Sequence, residues 1–248
     1  MISIIQRFLE WIRTFLRQRF HSKNPDLPYY MAIIVAMIFF AIALNGFIEI
    51  TDELAENDLG EFDSTISDWV ISFRSEGLTT YFRFMTEMGD RYAYVIISIL
   101  LGAYFFFRHR NWTFVVQTIS VLLLATLSNV LIKRVINRQR PALEHLVSVN
   151  TLSYPSGHSM SAMAFYGFLI YLCTQMKMPM SVRVLLITLI CVLILSIGTS
   201  RIYLGVHFPS DVAAGFLGGL LWVTLCVIIF NTATLWRKRK MHSTANDE

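Results

Sequence analysis

Six apolar runs, each close to the length of a bilayer crossing, recur along this chain and restrict its folding options more than any other feature. They lie near Tyr29–Ile48, Tyr92–Phe107, Trp112–Ile132, Gly157–Met176, Val184–Thr199 and Val212–Leu235. A helix rises about 1.5 Å per residue, so runs of this length match a hydrocarbon core about 30 Å thick. The shortest, Tyr92–Phe107, relies on aromatic ends that reach the interface. Hydrocarbon offers the backbone no hydrogen-bond partner, which makes each run helical. The expected fold class is therefore an all-α integral membrane protein, a six-transmembrane-helix bundle. With 55% hydrophobic and 15% charged residues in 248, a soluble globule is excluded. Cys173, Cys191 and Cys226 all fall inside these runs without paired or ligand-like spacing, and are read as apolar packing thiols.

Charge sorts the connecting segments. Arg7, Arg13, Arg17, Arg19 and Lys23, the turn Arg108–Arg110, Lys177 with Arg183, and the tail Arg237–Lys240 all fall on one side of a six-span chain, the cytoplasmic one by the positive-inside rule. The segment after the first run is acidic, with Glu49, Asp52, Glu53, Glu56, Asp58, Glu61, Asp63 and Asp68, and belongs outside. Both termini are expected inside. One connection, with Lys133, Arg134, Arg138 and Arg140, breaks the rule by placing cations on the outer face, which invites a functional reason. A single membrane domain is expected over residues 1–248. Within it, residues 1–25 carry an apolar stripe between arginines and read as an interfacial helix rather than a cleaved leader. Residues 50–91 form an outer loop with two amphipathic stretches, the first capped by Asp63 and Ser64 and the two separated by Gly77; they either seal the outer end or frame a lateral entrance for lipid. Residues 131–215 hold the polar motifs and 236–248 form a cytoplasmic tail, disordered from His242. Gly215 and Gly219 make a small-xxx-small pair that serves packing within one bundle or between copies.

Three polar clusters sit where runs end, all on the outer face: Lys133 to Pro141, Pro155 to His158, and Ser200 to Asp211. Ionisable groups near membrane depth are costly and mark function. Lys133, Arg140 and Arg201 supply donors and positive charge suited to a phosphate dianion and to a phosphoryl group in transfer. Ser156 can cap the fourth run, and Gly157 lets backbone N–H groups approach an anion at the helix start. His207 and Asp211 stand four apart across Pro209; a carboxylate against one ring nitrogen orients the other, which makes His207 the better nucleophile. His158 has no such partner nearby in sequence, and an ordinary pKa of about 6.5 suits it to protonating a leaving oxygen and then activating water. The clusters contain no set of metal ligands, so neither a metal nor another cofactor is expected.

These clusters, Lys-x6-Arg-Pro, Pro-Ser-Gly-His and Ser-Arg-x5-His-x3-Asp, resemble the three-part signature of the type 2 phosphatidic acid phosphatase superfamily, complete at Lys133, Arg140, Pro141, Pro155, Ser156, Gly157, His158, Ser200, Arg201, His207 and Asp211. The resemblance implies that Lys133, Arg140 and Arg201 hold phosphate with Ser156 and Gly157, that His207 becomes phosphorylated, that Asp211 orients it, and that His158 is the acid. Size and span layout resemble the bacterial phosphatidylglycerophosphatase B branch, with relatives that act on undecaprenyl pyrophosphate. Other substrates such as phosphatidic acid or diacylglycerol pyrophosphate stay open, because the 50–91 loop and apolar walls that would read the lipid carry no decodable motif. The implied partners are a lipid phosphate and the bilayer, with no nucleic acid and no obligate protein. Vanadate-dependent haloperoxidases resemble the same motifs but are soluble. A protein that binds or moves lipid phosphate without hydrolysing it would need the cations but not an oriented nucleophile.

Overall fold

The structure, a computed structural model, describes residue 7 and residues 24–109, 112–149 and 151–244. Of the helix expected in residues 1–25 these include only Arg7 and positions 24–25, so that expectation lies outside them. Among the described residues eight helices follow in order: α1 Leu27–Glu56, α2 Gly60–Ser72, α3 Glu76–Glu87, α4 Arg91–His109, α5 Thr113–Ile136, α6 Gly157–Gln175, α7 Met180–Tyr203 and α8 Pro209–Thr244. Each expected apolar run lies within a helix or within a residue of its ends. Among the described residues α1, α5, α7 and α8 are long and apolar enough to cross a membrane alone, and α3 with α4, bent by 58° at their junction, makes a fifth if the pair counts as one span. α6 is not in this set, because Ser159, Ser161, Thr174 and Gln175 dilute its apolar content. Its flank is covered by protein, with Ala162, Ala164, Phe165 and Phe168 fully buried, so it needs less lipid-facing surface.

Two compact units divide the chain, residues 1–40 with 224–248, and residues 41–223. In the first, Lys238 at the end of α8 donates to Asp26 Oδ1 at 3.1 Å and lies 4.3 Å from the Tyr29 ring, while Arg239 donates to the Tyr30 hydroxyl at 2.7 Å. α8 stays helical through Thr244, so the expected disorder from His242 does not hold for residues 242–244; the last four residues lie outside the described set.

In the second unit α6 packs against α5 and α7, and α2 and α3 pack on α7. Gly215 and Gly219 of α8 lie against α6: a Cβ at Gly215 would sit 2.7 Å from Ser156 O, and one at Gly219 2.5 Å from Met160 O. The small pair is thus consumed within the bundle. Two expectations for α2 and α3 are corrected. Asp63 does not cap α2, which begins at Gly60 with no side-chain cap; Asp63 is buried on the inner face, and the Ser64 hydroxyl donates to Glu61 O instead. Gly77 lies inside α3, and the break falls at 73–75, where Ser75 caps α3 by accepting from Leu78 N–H. A three-residue break with a good N-cap is cheaper than a glycine interruption. The apolar stripes split: Val70, Ile66 and Phe82 join a core with Ile202, Tyr203 and Val206, while Trp69, Phe73, Leu78 and Tyr81 stay exposed.

Candidate active site

Five segments bring their polar residues to one end of the 41–223 unit: the α3–α4 turn, the end of α5 with the loop after it, the start of α6, the end of α7, and the start of α8. α5 stops at Asn137, which adopts a left-handed φ of 53° and returns its N–H to Lys133 O at 3.0 Å. Asparagine tolerates that conformation better than most residues. The chain then runs over the site. Arg140 clamps the loop by donating from Nε to Thr151 O at 2.6 Å and from Nη1 to Val206 O at 2.5 Å, and Lys133 donates to Leu152 O and Ser153 O at 2.5 and 3.0 Å. Ser156 caps α6 as the sequence implies, accepting from Ser159 N–H, and its own N–H donates to Asp211 O at 2.9 Å, which fixes α6 to α8. α7 ends in a tight reversal at Gly205, whose φ of +77° and 2.5 Å approach of Glu144 O to a would-be Cβ leave room only for glycine.

That reversal delivers His207. The ring is buried, with Nδ1 3.4 Å from Asp211 Oδ2 and 3.3 Å from Ser153 Oγ, and with Nε2 3.3 Å from Arg140 Nη1. A guanidinium can only donate, so Nε2 presents its lone pair and Nδ1 carries the proton, directed at Asp211. Burial pushes the His207 pKa down to about 3 against the pull of Asp211, so the ring is neutral at physiological pH. Burial likewise lowers Arg140 from its ordinary value and raises the Tyr154 hydroxyl to about 12. Asp211, the third helical residue of α8, also accepts from Phe208 N–H at 2.8 Å, the reach-back of a capping carboxylate. Ser153 Oγ donates to the same Oδ2 at 2.5 Å. Arg201 is buried, donates to the Thr86 hydroxyl, and keeps its Nε without a partner among the described residues. A buried guanidinium nitrogen left open marks a place for an external acceptor. Arg140 and Arg201 lie close enough to both His158 and His207 to act on each ring electrostatically.

The structure thus gathers Lys133, Arg140, Ser156, Gly157, His158, Arg201, His207 and Asp211 at one end of five segments. It adds residues whose identity the motifs do not fix. Arg138, one of the cations that break the charge rule, donates from Nη1 to Asp211 Oδ1 at 2.7 Å and to Ser210 Oγ at 2.8 Å, and from Nη2 to Asp63 Oδ2 at 2.6 Å. Asp63 is 2% exposed and also accepts from Ser210 N–H and Oγ. In sequence it is one of eight acidic residues of its segment and reads as a helix cap rather than a partner of Arg138. His158 does have a carboxylate partner, far away in sequence: its Nε2 lies 3.0 Å from Asp90 Oδ1. A side-open groove of about 980 Å³ between α4 and α5 ends at Gly157 and His158, walled by Val95, Ile99, Phe106 and Leu123.

Comparison with known proteins completes the description. The PAP2 superfamily model matches residues 114–235. Phosphatidylglycerophosphatase B of Bacillus subtilis (strain 168) is 32% identical over 168 residues, covering 66% of this chain and 81% of that protein. Decaprenylphosphoryl-5-phosphoribose phosphatase of Mycobacterium tuberculosis (strain ATCC 25618 / H37Rv) is 34% identical over 150 residues, covering 56% and 73%. The crystal structure of a transmembrane PAP2 type phosphatidylglycerolphosphate phosphatase from Bacillus subtilis superposes with a TM-score of 0.71 at 27% identity, covering 78% of this chain and 96% of that one.

Proposed function

The chain belongs to the PAP2 superfamily and is a membrane lipid phosphatase, and on that premise we propose that it hydrolyses phosphatidylglycerol phosphate, undecaprenyl pyrophosphate, or both, through a phosphohistidine. The observation that carries the mechanism is the His207 geometry: a buried neutral ring with Nδ1 against Asp211 and an Nε2 lone pair beside Arg140. Lys133, Arg140 and Arg201, with Ser156 and Gly157 at the start of α6, hold the phosphoryl oxygens. Nε2 of His207 attacks phosphorus as the bond to the lipid oxygen breaks, and His158 gives that oxygen a proton. The positive charge that forms on His207 is balanced by Asp211. In the second step His158 takes a proton from water, which attacks phosphorus; the P–N bond breaks, and phosphate leaves with His207 neutral again. No metal and no cofactor enters either step.

The lipid tail occupies the groove between α4 and α5, whose apolar walls lead to His158. A polyprenyl chain fits such walls as well as acyl chains do, which supports keeping both substrates. Six spans account best for the helices: α4 and α6, each of 19 residues, are about 28 Å long, close to the hydrocarbon thickness. The site segments come from the N-terminal ends of α4, α6 and α8 and the C-terminal ends of α5 and α7, which six alternating spans bring to one membrane face. The acidic 50–91 segment lies on that face and the basic turns on the other, which supports an outward site, cytoplasmic termini and a bacterial plasma membrane. Exposed Trp69, Phe73 and Tyr81 support an interfacial seat for α2 and α3.

The decisive experiment is turnover of purified protein in detergent with phosphatidylglycerol phosphate, undecaprenyl pyrophosphate and phosphatidic acid, ranked by kcat/KM. His207→Ala abolishes phosphate release and the alkali-stable phosphoenzyme trapped by a detergent quench at high pH; normal turnover by this variant refutes the mechanism.

A further inference from the structure

The proposed acid and base, His158, is held by a turn that no motif covers. Residues 86–90, the last two of α3 and the three that follow, lead into α4 at their 58° bend. Three contacts press this turn onto the site. The Thr86 hydroxyl accepts from Arg201, Met88 O accepts from the Tyr166 hydroxyl at 2.7 Å, and Asp90 Oδ1 lies 3.0 Å from His158 Nε2. Gly89 shows how closely the turn is moulded to the ring: a Cβ there would lie 3.1 Å from His158 Cδ2 and 2.7 Å from Ile197 Cγ2. The turn also forms part of the groove mouth, since Gly89 and Arg91 line it together with His158.

We propose that Asp90 is a positioning residue for the leaving-group step, the carboxylate that fixes His158 as Asp211 fixes His207. The inference rests on His158 acting as the general acid. Asp90 accepts from Nε2–H, so Nδ1 is the nitrogen available to protonate the lipid oxygen as its bond to phosphorus breaks; the same nitrogen then takes a proton from the attacking water. The charged groups acting on the ring are Asp90 from the turn, Arg201 from α7 and Arg140 from the loop after α5. Asp90 is the only anion among these three, so it alone balances the protonated ring against the two guanidinium groups. Its side chain is half exposed, unlike the fully buried Asp211, so replacing it disturbs no buried carboxylate.

The test uses leaving groups of different basicity, read as kcat/KM, which covers the first step only. Asp90→Asn lowers kcat/KM about 10- to 100-fold on a lipid alkyl phosphate, whose leaving oxygen needs a proton, and less than about threefold on p-nitrophenyl phosphate, whose leaving oxygen does not. The alkaline limb of the alkyl-phosphate pH profile moves to lower pH, and Asp90→Glu restores part of the rate. Equal losses on both substrates with an unmoved limb overturn the inference, because a merely structural role would tax both alike. His158→Ala separates the two readings. If it shows the leaving-group selectivity and Asp90→Asn does not, only the role of Asp90 fails; if His158→Ala itself shows none, the acid assignment beneath it fails.

Discussion

Replacing Arg138 by methionine keeps most of the side-chain volume and removes one guanidinium that serves two buried carboxylates. Arg138 Nη1 lies 2.7 Å from Asp211 Oδ1 and Nη2 2.6 Å from Asp63 Oδ2, with exposures of 0% and 2% at the two acids and 15% at the arginine. Removing one partner of a buried ion pair costs about 3–5 kcal/mol, so two independent pairs would sum to about 6–10 kcal/mol. Both acids keep other donors, however. Asp63 still accepts from Ser210 N–H and Oγ at 2.9 and 2.7 Å, and Asp211 from Ser153 Oγ and Phe208 N–H at 2.5 and 2.8 Å. With the two lost charge-assisted bonds at about 1.5–3 kcal/mol each, the expected net loss is about 3–6 kcal/mol, a large share of a typical stability of about 5–15 kcal/mol. Contact of the guanidinium with the Phe208 ring, 4.1 Å from centroid to Cζ, adds a smaller loss. The measurement is unfolding free energy of purified protein in mixed micelles, for Arg138→Met, Asp63→Asn and the double variant. Neutralising Asp63 removes one of the stranded charges, so the double variant should recover about 2 kcal/mol relative to Arg138→Met alone. A loss below about 1 kcal/mol for Arg138→Met, or strict additivity in the cycle, would mean that the guanidinium does not hold the two buried carboxylates.

Protonation of His207 gives a second prediction. The folded ring stays neutral down to about pH 3, whereas the unfolded ring takes up a proton near pH 6.5, so the unfolded state binds more protons between these values and stability falls as pH drops below about 6.5. His207→Gln should flatten the acid side of the stability curve by up to about 1.4 kcal/mol per pH unit, and an unchanged slope would contradict the assignment. At the α6–α8 contact, Gly219→Ala places a Cβ 2.5 Å from Met160 O and should destabilise by about 1–3 kcal/mol, while Gly218→Ala meets the flexible end of Met160 at 3.2 Å and the Phe47 ring at an ordinary 3.6 Å and should cost less than about 1 kcal/mol. Melting curves of the two variants check this. Activity should survive excess EDTA, and a loss reversed by a divalent ion would show that a metal takes part. Cysteines placed at Glu144 and His109 should label from outside and inside respectively in intact cells; equal labelling from outside overturns the topology.

Much of the site was legible because its chemistry requires fixed residue types at short spacings. His207 and Asp211 are one helical turn apart across a proline that starts α8, and Ser156 precedes a helix, so spacing alone implied the ring–carboxylate pair and the cap. On the six-span reading the cations fall on one membrane face, because alternating spans leave no other choice. Asp90, Asp63 and Arg138 were not readable in this way. Asp90 reaches His158 across 68 residues and Arg138 reaches Asp63 across 75, distances over which only tertiary packing decides who meets whom. Arg138 did leave a trace, as a cation that the six-span reading puts on the side where the charge rule forbids it. Asp63 left a misleading one: among seven other acids its position suggests a helix cap, and burial alone sets it apart as a partner of Arg138. The count of spans suffers from a related ambiguity: α6 is polar enough to fall short of a lipid-facing helix, because its neighbours rather than lipid cover it.

The open side of the α4–α5 groove has a consequence for how the enzyme treats its membrane. Trp112 and Asn129, toward opposite ends of the groove, are 17 positions apart, about 26 Å along α5. Val95, Ile99 and Leu123 on its walls are exposed along that length, so the trough has a floor and two banks but no roof. A closed tunnel acts as a ruler and rejects tails that are too long; an open trough lets the surplus spill sideways among neighbouring lipids. Turnover should therefore be indifferent to tail length and unsaturation, and a cell that retunes its acyl chains with temperature need not retune this enzyme with them.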